Sequence, residues 1–363
     1  MVTERRSRTT AAMRGHLLIL AMASLLPGCG TLYVAQAATG QLQVMSERRP
    51  IDKVIADPAT DAVLRARLTE AKAIREFASR ELDLPDNSSY RTYADIQRPY
   101  VVWNVVVTPE FSLEPLQWCF PIAGCVAYRG YFKEQRARDF ALEQRARGYD
   151  TVVGGVAAYS TLGRFADPVL SSMLSYGDNE LAALVFHELA HQVLYVQNDT
   201  SFNEAFAVTV EQAGLARWLV ARDRSPELDV MPARRARQAE AAEMFKRRRL
   251  QLQSLYASSV SEAKMRAAKA QIMQALAEDI LAFEARHKLK SRYSAWIGAG
   301  LNNAHFASLA TYFDCVPGFE RLLASVDGDL PTFFAAARKL ANEPAPERRR
   351  RLCALDQAAR DGR

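Results

Sequence analysis

FHELAHQVLYVQNDTSFNEAFAVTVE, residues 186–211, sets two histidines and four carboxylates among otherwise mostly apolar or small residues. The polar break VQNDTS predicts two helices joined by a short turn. On a helix, positions four apart share a face, with Cβ atoms about 5–6 Å apart. His187 and His191 therefore project side by side, and their ring nitrogens can converge on one ion at about 2.0–2.1 Å. Glu188 sits one position round the helix, where its carboxylate can reach a water held by that ion without being a ligand. Leu181, Val185 and Leu189 take the packing side, and Asp178 is the expected N-cap. A catalytic zinc needs a third protein ligand and keeps a fourth position open. Glu204 and Glu211 are the candidates; seven residues apart, they are two turns distant and face the same way. Ser201-Phe202-Asn203-Glu204 also reads as a capping box, a competing role for Glu204.

Working outward, the chain of 363 residues is 49% hydrophobic and 24% charged, enough for a packed core and unlike a disordered sequence. Upstream of the opening stretch, residues 41–83 have helical apolar spacing. VVWNVVV at 101–107, CVAYRGYF at 125–132 and YDTVVGGVAAYS at 149–160 read as strands, with KEQRARDFALEQRARG at 133–148 as a helix between them. From Asp178 on, the pattern is helical: an active-site pair over about 178–222, a charged hairpin over about 233–290, and two helices around VPGF in 301–342. The fold class is α+β, mostly helical, with a small sheet at about 100–160 followed by a helical body. KRRR at 246–249 reads as a solvated helix face. The net charge is +6, and the first 28 residues carry half of it, four arginines against one glutamate. No basic stripe interleaved with aromatics is present, so no nucleic-acid partner is expected.

Those first 28 residues read as a signal peptide: a basic start, the apolar run LLILAMASLL and the junction Leu26-Pro27-Gly28-Cys29. The junction resembles the bacterial lipobox, which makes Cys29 the lipidation site. Gly30 in place of Asp favours an outer-membrane anchor facing the periplasm. Residues 29–40 are expected as a linker, 41–345 as the folded domain and 346–363 as a tail. In an oxidising compartment Cys119 and Cys125, flanking FPIAG, are expected to pair, and Cys315 with Cys353 could do the same.

HELAH followed by NEAFAVTVE resembles the gluzincin zinc peptidases. More closely, the blocks CFPIAGCVAYRGYF, AYSTLG, DP.LS, HELAHQ, FNEAFA and a late NNA…LA.Y are similar to those of a bacterial family of predicted envelope aminopeptidases, over roughly residues 40–340. The resemblance implies a gluzincin-like active-site helix pair and a Zn2+ cofactor. It makes His187, His191 and Glu204 the metal ligands, Glu188 the catalytic base and Glu211 a partner to a ligating His. Twelve residues separate His191 from Glu204, fewer than in gluzincin aminopeptidases, and nineteen separate it from Glu211. The strand GGVAAYS also lacks the carboxylate with which gluzincin aminopeptidases hold a free amine. The implied reaction is peptide-bond hydrolysis by Glu-assisted attack of water at zinc, with a peptide substrate and aminopeptidase action first. A non-catalytic zinc-binding lipoprotein, or an endopeptidase acting on peptidoglycan or other periplasmic peptides, stand as alternatives. Tyr159 is the first candidate for stabilising the oxyanion, with Tyr312 and His305 behind it. Asn302 and Asn303 read either as substrate contacts or as helix caps.

Overall fold

The computed structural model describes residues 28–120, 124–289, 293–313 and 315–353, excluding the side chains of 28–32, 120 and 310–313. Gly28–Ser46 (α1) belongs to one unit, and the chain from Glu47 onward forms a second. The expected linker is thus part of a helix. Its Ala, Gln, Leu and Val run contains no proline, and Thr39 Oγ1 donates back to the Ala35 carbonyl. The signal-peptide stretch 1–27 and the Cys29 side chain lie outside the described residues.

The helix expected over 41–83 is broken by Pro50 and by Asp57-Pro58, because proline cannot continue a helix interior. It becomes the end of α1, then Ile51–Ala56 (α2) and Ala62–Glu81 (α3), with Asp61 capping α3 through Val63 N and Leu64 N. Arg49–Pro50 (β1) pairs with Thr92–Ala94 (β2), which runs parallel to Val169–Leu170 (β8). The larger sheet has Val102–Thr108 (β3) at its centre, antiparallel to Arg129–Tyr131 (β6) and to Asp150–Val156 (β7). The expected strand 125–132 is split by a bend into Gly124–Val126 (β5) and β6. β5 pairs instead with Trp118–Phe120 (β4), placing Cys119 opposite Cys125, and the two are joined.

Side chains alternate across β3, and each face has its own helix. Glu134–Ala146 (α4) covers one, with Phe140 against Tyr131 and Trp118. Asn303–Phe313 (α10) covers the other, where Ala304 and Ala307 pack on Val106 and Val152. α10 also packs on Thr200–Ala221 (α6), so it ties the sheet to the helical body. Asp178–Val193 (α5) lies along α6, and α3 covers both through Phe77, which meets Phe186 and Trp218. The charged hairpin is Met231–Tyr256 (α7) and Glu262–His287 (α8), sealed by Met244, Phe245, Leu252, Leu276, Ile280 and Phe283. Within KRRR, Arg247 and Arg248 both reach Asp279 across the hairpin.

After Ser294–Ala299 (α9), the stretch 301–342 makes three helices where two were expected, α10, Val316–Ala324 (α11) and Leu330–Ala341 (α12), and Ala345–Leu352 (α13) follows. VPGF opens α11, since proline is tolerated in a first turn. The start of the expected tail is therefore structured: α13 buries Arg348 and Leu352 and is joined to α11 by the Cys315–Cys353 bond. No helix among the described residues is long and apolar enough to cross a membrane.

Candidate metal centre

α5 and α6 carry the opening stretch, and their caps decide what Glu204 can do. The α5 N-cap is Gly177; Asp178 falls inside the first turn, where it pairs with Arg67. Leu181, Val185 and Leu189 are fully buried, so the packing side is as the spacing predicts. The α6 N-cap is Asp199, whose side chain accepts from Phe202 N at 3.2 Å. The capping box expected at Ser201–Glu204 thus does not form, because the helix begins two residues earlier. Glu204 lies in the second turn and faces the histidines.

The short connection is held at several points. Asn203 grips Val196 twice, Val196 N donating to Oδ1 and Nδ2 donating to the Val196 carbonyl, both at 2.8 Å. Asn198 adopts a left-handed φ of 65° and accepts from Cys125 N at 2.6 Å. Gly124 permits that approach, since a Cβ there would lie 2.6 Å from Asn198 Oδ1.

The result is a triangle of donors. His187 Nε2 and His191 Nε2 are 3.2 Å apart, with Glu204 Oε2 3.4 Å from the first and Glu204 Oε1 3.8 Å from the second. Three ligands held tetrahedrally at about 2.0–2.1 Å from a zinc ion lie about 3.3–3.4 Å apart. The donor set therefore fits a zinc-sized cation, and it is the one such His/Glu group among the described residues. Glu211 is not in the triangle. Its Oε2 lies 3.1 Å from His187 Nδ1, a contact that would hold a proton on Nδ1 and present Nε2 to a bound metal.

The carboxylates and histidines of the site shift one another's titration. Burial opposes a charge on His187, yet hydrogen bonds to Glu204 and Glu211 outweigh it and raise its pKa well above the usual value. Burial pushes His191 down to about 4, with the His187 charge adding to the effect. Against the cost of burial, His187 and His191 hold the Glu204 carboxyl below its usual range. Glu188 touches none of the three in a hydrogen bond; burial raises it to about 7, opposed by His187 and reinforced by Glu204, Asp167 and Glu211.

A family model described as "Putative aminopeptidase" matches residues 32–352. The chain belongs to that family. No curated protein and no solved structure matches it.

In this member of the family, the surroundings of Glu188 include residues the sequence did not single out. Tyr90 is 1% exposed, its hydroxyl is buried with no hydrogen-bond partner among the described residues, and burial raises its pKa, reinforced by Glu188, Asp167 and Tyr159. Asp167 is buried and holds the 160s loop by accepting from Thr161 N and Thr161 Oγ1. It lies in the DP.LS block, which gave a signal; Tyr90 lies in none of the blocks. Tyr159 is half-buried, edge-on to Phe132, and burial raises its pKa, with Asp167 adding. Other candidates are elsewhere. His305 is fully buried with its ring against Trp296, and Asn302 caps α10 through Ala304 N. Asn303 donates to the Glu110 carbonyl and accepts from the Tyr256 hydroxyl. The Tyr312 side chain lies outside the described residues.

Proposed function

We propose that this chain is a zinc-dependent peptidase, acting first as an aminopeptidase. The observation that carries the reading is the donor triangle of His187, His191 and Glu204, with a buried carboxylate, Glu188, beside it and outside it. Family membership supports a peptidase-like function in general; the metal and the mechanism are our inference. Zinc held there would supply a Lewis acid that polarises a scissile carbonyl and makes a water more acidic. The chain's own residues do the rest. Glu211 holds the His187 Nδ1 proton. Glu188 takes a proton from the attacking water and delivers it to the leaving amine, a task suited to a carboxyl raised towards neutrality. Tyr159 is our first choice for donating to the developing oxyanion, with Tyr90, whose electrostatics couple it to Glu188 and Tyr159, as a second. β7 is an edge strand of its sheet among the described residues; its Thr151 carbonyl is taken by Arg145 and Asn302, and the stretch from Val153 to Val156 would be the part that an extended peptide could pair with. A structural zinc would more often be closed by four protein ligands and would have no use for Glu188.

We extend the reading to location: a signal peptide over 1–28 and a lipid on Cys29 would anchor the protein at the outer membrane, facing the periplasm. The Cys119–Cys125 and Cys315–Cys353 bonds favour an oxidising compartment.

The test compares metal content and cleavage of free-amine and N-blocked peptides for the wild type and Glu188→Gln. The expected result is one zinc per chain in both proteins and, in the variant, hydrolysis at least about 100-fold slower, the usual scale of general-base catalysis. Undiminished activity in the variant, or a metal-free wild type purified without chelator, would reject the reading. Equal cleavage of blocked peptides would reject the aminopeptidase subtype alone.

A further inference from the structure

The third ligand depends on where α6 begins, and that start is fixed from the far end of the chain. Asp199 is 4% exposed and divides its carboxylate between two duties. One oxygen, Oδ1, accepts from Phe202 N and caps α6. The other, Oδ2, accepts from Arg348 Nε at 2.9 Å and from a terminal nitrogen of the same guanidinium at 2.7 Å. Arg348 is itself 8% exposed, and its remaining nitrogen donates to the carbonyls of Ala341 and Glu343. Its guanidinium carbon lies 5.6 Å from the centre of the Phe202 ring.

The helix that carries Arg348 is a fixed reference. Cys353, directly after α13, is bonded to Cys315, directly before α11. Gly318 on α11 lies so close to Leu352 that a Cβ would come within 2.2 Å of its carbonyl oxygen. α11 in turn packs on α6, where Phe319 meets Phe202 and Phe206. Glu204 lies five residues past Asp199, in the turn after the capped one.

We propose that Arg348 is a positioning residue for the Glu204 ligand, acting through Asp199 to set where α6 starts. This rests on the metal-centre reading above and goes beyond it by giving the C-terminal helix a part in holding the metal. An ion pair serving stability alone would leave zinc affinity unchanged once the protein is folded.

The experiment measures zinc affinity of the full chain by competition with a chromophoric chelator, together with amide hydrogen exchange of the metal-free protein. Arg348→Met alone strands the Asp199 charge and risks misfolding. The decisive variant is therefore Arg348→Met with Asp199→Asn, which removes both charges and keeps an oxygen at the cap. The expected loss is about 10- to 100-fold in zinc affinity, the range typical for residues that orient metal ligands. Arg348→Lys, a single point charge without the guanidinium fork, should recover part of it. Leu276→Ala in the α7–α8 core controls for destabilisation and should bind zinc as the wild type does. Exchange over 199–205 should quicken in the double variant even without metal. Wild-type zinc affinity in the double variant, an equal loss in Leu276→Ala, or unchanged exchange over 199–205 would each overturn the proposal. A wild type that binds no zinc, but whose exchange responds as expected, would reject the metal reading and support the positioning of Glu204.

Discussion

Single residues here separate holding a metal from holding the fold. Among the described residues Glu211 meets the Nδ1 side of His187, a ligand in the proposed zinc site, so its contribution there would be to orientation and basicity. Glu211→Gln keeps a hydrogen-bonding group and removes the charge. Zinc affinity should fall by about 10-fold or more, measured against a competing chelator, with no change in far-UV circular dichroism. His305 is the opposite case, a buried histidine away from the triangle. Burial lowers its pKa to about 4, with a hydrogen bond to Asn302 opposing this and Arg145 adding to it. An unfolded histidine titrates near 6.5. The folded value is the lower one, so the unfolded chain binds more protons between the two. Stability is therefore fully present above about 6.5 and is lost as pH falls towards 4, by at most about 3 kcal/mol. His305→Gln should flatten this part of the acid limb. Urea denaturation at several pH values between 4 and 7 checks it, and an unchanged slope would contradict it.

Among the elements, the contact of α5 with α6 is set by a residue with no side chain. A Cβ on Gly214 would lie 2.8 Å from Leu82 Cδ1 and 2.9 Å from Phe186 Cδ2. Gly214→Ala adds roughly 1 kcal/mol of helix propensity but costs about 1–3 kcal/mol in overpacking. The expected net effect is a lower Tm. Zinc binding should weaken as well, because Phe186 precedes His187 and moves with it; calorimetry with and without zinc reads both. Such elements were partly legible in the sequence. HELAH and NEAFA gave the α5–α6 pair because helical period is a local property, and β3 was plain from VVWNVVV. The breaks at Pro50 and Pro58 were also local and should have divided the run 41–83. What the sequence could not yield was non-local. The α6 cap is Asp199 and not Ser201, and that carboxylate also accepts from Arg348, 149 residues away. Tyr90 reaches the surroundings of Glu188 only through the folding of a loop with left-handed φ at Tyr90 itself.

Across the whole molecule, the two disulfides close loops of very different size, and this decides which carries stability. Cys119 and Cys125 are six residues apart, Cys315 and Cys353 thirty-eight. Constraint of the unfolded chain grows with the logarithm of loop length, giving about 2 kcal/mol for the small loop and about 4 kcal/mol for the large one. The small loop instead sits against the α5–α6 turn, where Cys125 N donates to Asn198. The two losses should therefore differ in kind. Cys315→Ser with Cys353→Ser should lower the denaturant midpoint more than Cys119→Ser with Cys125→Ser, about twofold in free energy on the loop-size argument. The larger loop also spans α11 and α12, the helices that pack Phe319, Phe333 and Phe334 around Phe206 of α6. Its removal should be felt at α6 as well as in the unfolded chain. Denaturation of both double variants beside the wild type tests this, and a larger loss from the 119–125 pair would show that native-state contacts at the turn outweigh chain entropy.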